Sequence, residues 1–155
     1  MFKVMVYAIF TMLLTVSLGM AAAHGAFESK LSGKEVVPAV ETKAKGEADF
    51  KLSKDGKELT YTLKVKDIEN VTAAHIHTGT MGVNGGPVAG LFAGPKKEGK
   101  FSGELAKGTI TNKGLVGPLA GKTIGDLVEM IKSGGAYVNV HTDTYPDGEV
   151  RGQIK

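Results

Sequence analysis

The chain holds only four histidines and no cysteine, yet two of the histidines stand two residues apart in "AAHIHTG", residues 73–79. With thiolate excluded, imidazole is the side chain best suited to hold copper, zinc or nickel. In an extended segment residues i and i+2 point to the same side, about 7 Å apart along the backbone, so His75 and His77 can reach one ion. Ala74 and Ile76 then face the other way. The same alternation in "GAYVNVHTD" (135–143) sets Tyr137, Asn139 and His141 opposite Val138 and Val140. The apolar faces must pack inward, so His75, His77 and His141 are expected on the outer face of a sheet, at the ends of two strands. If those strands are neighbours, His141 completes a facial three-nitrogen set, with copper the first candidate and zinc and nickel behind it.

Further residues attach to that set. Asp143 is a candidate acceptor for orienting a ring from behind, and Met81 is an optional soft ligand. His24, if it becomes the first residue of the processed chain, offers its amine and imidazole together as a chelate. The competing reading is three surface histidines hydrogen-bonded to Thr78, Asn139 and loop backbone. On the metal reading, an alanine at His77 removes the ion without unfolding the domain.

The elements that must position these residues follow an export signal. Lys3 precedes a nearly unbroken apolar run from Val4 to Leu18, and Ala21 and Ala23 satisfy the small-residue rule for cleavage before His24. A cut after Gly25 also fits, and an uncleaved membrane anchor is the alternative. The domain plan is therefore a signal peptide over 1–23 and one domain over 24–155, secreted or periplasmic, with no stable membrane anchor after cleavage. The whole chain has 19 basic and 16 acidic residues. The lysines are scattered rather than clustered, which argues against a nucleic-acid partner. Without cysteine there is no disulfide framework, so burial and backbone hydrogen bonds must hold the fold.

Apolar alternation dominates the domain. "GEADFKLS" turns Ala48, Phe50 and Leu52 to one face, Asp55-Gly56 supplies a turn, and "ELTYTLKVK" returns with Leu59, Tyr61, Leu63 and Val65 inward. Further strands are expected over 71–77, 87–92, 100–106, 108–112, 136–142 and 148–154. One segment changes period. "TIGDLVEMIKSGG" has Ile124, Leu127, Val128 and Ile131 at helical spacing, with Thr123 as N-cap and Gly134 as stop, which predicts a short helix near 123–133. The fold class is all-β, a sandwich or barrel with one short helix. Gly79, Gly82 and Gly85 are expected to serve turns with positive φ. Glu149, Arg151 and Gln153 share the outer face of the last strand. Serines are few and none sits in a nucleophile-elbow motif, so the pattern favours a binding module over an enzyme.

Three blocks carry a family resemblance: "LSGKEVVPAVETKAKGEADFKL" (31–52), "LTYTLKVKDIENVTAAHIHTGTMGVNGGPVAGLF" (59–92) and "GGAYVNVHTDTYPDGEVRGQI" (134–154). Together they resemble the CHRD domain, the module of chordin, where it belongs to an extracellular regulator of growth factors. The resemblance implies an immunoglobulin-like or Greek-key β fold and an extracellular or envelope protein as partner. A local similarity to copper/zinc superoxide dismutase rests on "HIHTG" and "NVH". It implies His75, His77 and His141 as copper ligands and Arg151 as a steering group for an anion. This chain lacks that family's metal-bridging histidine, zinc loop and cysteine pair, so a dinuclear centre is not expected. Three readings result: an exported binding module with a mononuclear histidine site, a copper-dependent dismutase-like oxidoreductase, or an extracellular interaction module without a ligand.

Overall fold

The computed structural model describes residues 25–155; the expected export signal, its cleavage point and His24 lie outside the described residues. Seven strands and one helix follow in the order β1 (Ala26–Ser32), β2 (Lys45–Leu52), β3 (Leu59–Thr78), β4 (Pro87–Phe92), β5 (Lys97–Ile110), α1 (Ile124–Lys132), β6 (Ala136–Thr142) and β7 (Val150–Gln153). All ladders are antiparallel. The strand order β2-β1-β7-β6-β3, with a further β2–β3 pairing, closes a five-stranded ring. The all-β expectation thus resolves to a barrel with one short helix.

The 20-residue strand β3 organises the molecule. Its first half pairs with β2 on one edge and β5 on the other; its second half pairs with β6 and β4. The hairpin into it is looser than a tight Asp-Gly turn. Leu52 pairs with Leu59, leaving a loop over 53–58 in which Ser53 and Asp55 side chains accept the Lys57 and Glu58 N–H groups. The expected strands over 100–106 and 108–112 are one strand, β5, because β3 is long enough to pair with both.

The inward residues of β3 are Leu59, Leu63 and Val65, then Ile68, then Val71, then Ala74 and Ile76, all buried. The spacing is even as far as Val65, lengthens to three residues at each of the next three steps, and then returns to two. Each three-residue step turns the inward face from odd to even positions or back. Asp67 and Asn70, in the first two of these steps, have φ of 53° and 52°. The third coincides with a register shift against β6 between Val71 and Ala73. Three reversals leave even positions inward, so His75 and His77 face away from the core.

Helix α1 begins at a reciprocal capping box. The Thr123 hydroxyl accepts the Asp126 N–H, and the Asp126 carboxylate accepts the Thr123 N–H at 2.8 Å. Ile124, Leu127, Val128 and Ile131 bury their side chains in the core cluster, and Gly134 follows the helix at φ 73°.

Asn70 also accepts the Gly99 N–H through Oδ1 at 2.7 Å. A branched residue there meets the left-handed penalty and loses that acceptor. Asn70→Val should therefore lower unfolding free energy by about 2 kcal/mol, read from urea denaturation.

Candidate metal centre

Strands β3 and β6 are neighbours in the register the site requires: Ala73 opposite His141, and His75 opposite Asn139. His141 therefore lies diagonally across from His75. Ring centroids are 5.7 Å apart for His75–His77, 5.2 Å for His75–His141 and 5.6 Å for His77–His141. One nitrogen from each ring falls within 4.8 Å of the others, and among the described residues this is the compact group of potential ligands. A tetrahedral ion with bonds near 2.0 Å spaces its ligand atoms by about 3.3 Å.

Hydrogen bonding fixes which nitrogens are free. His77 Nδ1 lies 2.9 Å from the Gly85 carbonyl oxygen, and His141 Nδ1 lies 2.8 Å from that of Pro146. A carbonyl oxygen can only accept, so each Nδ1 carries the proton and each Nε2 keeps its lone pair. His77 Nε2, His141 Nε2 and His75 Nδ1 are buried and have no hydrogen-bond partner among the described residues. A ligand nitrogen whose opposite ring nitrogen is anchored to a carbonyl is the arrangement that metal-binding histidines use.

The outer face of the sheet is not open to solvent as the strand pattern suggested. Tyr137 and Arg151 are each 2% exposed, Asn139 5% and His77 9%. The segment 79–86 covers this face, tied down by Arg151, whose guanidinium donates to Asn84 Oδ1, the Thr80 carbonyl and the Val83 carbonyl at 2.9–3.0 Å. Arg151 lies 3.5 Å from the Tyr137 ring centroid, and Tyr137 stacks on His77 at 5.2 Å and 18°. Arg151 is thus a buried strut that does not pair with Glu149. The Glu149 carboxylate instead accepts the Thr42 and Thr142 hydroxyls. Gly85 has an ordinary φ, unlike Gly79 and Gly82. Its need for glycine is steric: a Cβ would overlap the Thr78 carbonyl oxygen.

The other candidates are placed apart. Asp143 is exposed and accepts from Lys96 Nζ at 2.9 Å, while the Pro146 carbonyl anchors His141. Met81 is 64% exposed and borders a separate depression with Glu28 and Gln153. Alternation over 135–143 sets Tyr137 on this face, but nothing local in the sequence marks it as part of the site. The Gly85 and Pro146 carbonyls leave no side-chain signal at all. His77 is packed against Tyr137, so His77→Ala removes packing as well as a ligand, and His75 and His141 are cleaner positions for testing.

Burial, reinforced by His141 and His77, lowers the His75 pKa from 6.5 to about 4. Burial also lowers that of His77, with the Gly85 carbonyl opposing and His141 and Arg151 adding to the depression. In metal-free protein the unfolded chain takes up a proton on His75 below pH 6.5, while the folded chain does so only near pH 4. Folding stability from this group is therefore present above pH 6.5 and falls as the pH drops toward 4. Urea midpoints measured across that window should decline more steeply for the unmodified chain than for His75→Gln.

Comparison with curated proteins and with solved structures gave no match. The sequence model of the CHRD domain matches residues 27–154, from the first strand to the last and across both histidine segments. The chain belongs to the CHRD domain family.

Proposed function

We propose that this protein is an exported CHRD-domain binding module holding one copper ion through His75 Nδ1, His77 Nε2 and His141 Nε2. The observation that carries the reading is the convergence of three imidazoles, one nitrogen of each within 4.8 Å of the others, in rings that each bury a nitrogen without a hydrogen-bond partner among the described residues; in two of them a carbonyl behind the ring fixes that nitrogen as a lone-pair donor. An all-nitrogen set suits copper, which stands above zinc and nickel in affinity for such ligands. Burial holds two of the rings below the usual histidine pKa, so they stay neutral and ready to coordinate at neutral pH. Export is supported by the N-terminal sequence, and among the described residues no helix is long and apolar enough to cross a membrane.

Calorimetric titration of metal-stripped protein with Cu(II) should give a one-to-one complex. His75→Gln and His141→Gln should each weaken it at least about 100-fold, whereas His24→Ala should leave it in place. Copper at 100 times its dissociation constant should stabilise the fold by about 2.7 kcal/mol, seen as a rise in Tm. Stoichiometric binding that survives in both glutamine variants would place the ion elsewhere and end this reading.

A further inference from the structure

Two of the three imidazoles, His77 and His141, line a cleft of about 620 Å³, within the range of small-molecule sites. Segment 36–40 contributes Val37 and Val40 to its lining, and segment 144–148 contributes Tyr145 and Pro146. Asn139, also in the lining, has a buried Oδ1 with no hydrogen-bond partner, while its Nδ2 donates to the Asp147 carbonyl. The cleft therefore combines apolar surface with the rings of His77 and His141, whose lone-pair nitrogens, like Asn139 Oδ1, are buried beneath its wall.

Charge decides what such a cleft takes. No carboxylate belongs to the compact ligand group among the described residues. Asp143 is engaged with Lys96, and Asp147, though it borders the cleft, is exposed and outside the group. Two charged side chains are buried: Glu149, whose carboxylate is held by the Thr42 and Thr142 hydroxyls, and Arg151, behind Tyr137, which has no carboxylate partner within ion-pair distance among the described residues. Three neutral ligands leave the charge of a divalent ion uncompensated in a partly buried site, which favours an anion at the remaining position. The apolar lining favours an anion with an apolar body over a small inorganic one.

Resting on the copper reading, we infer that this cleft is a subsite for small organic carboxylates. The carboxylate occupies the coordination position left open by the three histidines, and the apolar body lies against Val37, Val40 and Tyr145. The test uses the exported protein loaded with one Cu(II), titrated in parallel with benzoate, acetate and benzyl alcohol. Calorimetry reads affinity and electron paramagnetic resonance reads the copper environment.

Benzoate should bind at least about tenfold tighter than acetate and shift the copper spectrum, while benzyl alcohol should not shift it. Val37→Asp should remove the preference for benzoate; copper stoichiometry and circular dichroism on the same sample report whether that variant is folded. If it is not, the comparison of benzoate with acetate on the unmodified chain still decides. Equal affinity for the two carboxylates, an unshifted spectrum, or equally tight benzoate binding to the metal-free protein would overturn the inference. A chain that binds copper but ignores benzoate refutes the subsite alone. A chain that fails to bind copper refutes the metal reading and the subsite together.

Discussion

The placement of the histidines depends on an odd number of face reversals in β3. Leu59, Leu63 and Val65 set odd positions inward at its start, and unbroken alternation would carry His75 and His77 into the barrel core. Three longer steps, two of them at the left-handed residues Asp67 and Asn70, turn the strand so that Ala74 and Ile76 fill the core instead. A strand with two reversals would bury imidazoles among Leu and Val side chains, where their polar nitrogens would lose hydration without compensation. The same bends let one strand serve two pairs of neighbours, β2 with β5 and then β6 with β4.

Once the histidines face outward, a second, polar layer shields them. Segment 79–86 and segment 143–149 fold over the face, and the hydrogen bonds that hold them also set the ring orientations. The Gly85 carbonyl receives His77 Nδ1–H, and the Tyr137 hydroxyl lies 3.1 Å from the Gly85 N–H. Arg151 crosses behind Tyr137 to three acceptors on the same segment. Among the described residues, the buried side-chain nitrogen and oxygen atoms without a partner are Asn139 Oδ1 and one nitrogen from each of the three imidazoles. Unpaired buried acceptors are costly, and their concentration at one point distinguishes this face from an ordinary hydrogen-bonded sheet surface.

Local periodicity made much of this legible. The inward residues of β2, of the two ends of β3 and of β6, the helix with its Thr123 cap and the shared face of Tyr137, Asn139 and His141 follow from alternation or helical spacing. What the sequence did not reveal depends on contacts between distant segments. Fusion of 59–66 with 71–77 into one strand turns on bulges whose only trace is Asp67 and Asn70, residue types that tolerate positive φ. Covering of the outer face depends on Arg151 reaching residues 80–84, a contact that local pattern does not show, so neither the strut role of Arg151 nor the place of Tyr137 beside His77 was legible. Proximity in sequence makes Asp143 a candidate support for His141, yet the strand end directs it to Lys96.

Family membership rests on a match over residues 27–154; the proposed activity rests on the geometry of three rings. Anomalous diffraction at the copper absorption edge, from crystals grown after one-to-one loading, tests that geometry most directly. The expected result is a single peak bonded to His75 Nδ1, His77 Nε2 and His141 Nε2, with the Gly85 and Pro146 carbonyls still accepting from His77 and His141. A peak at the N-terminus, or one contacting fewer than two of these rings, would contradict it.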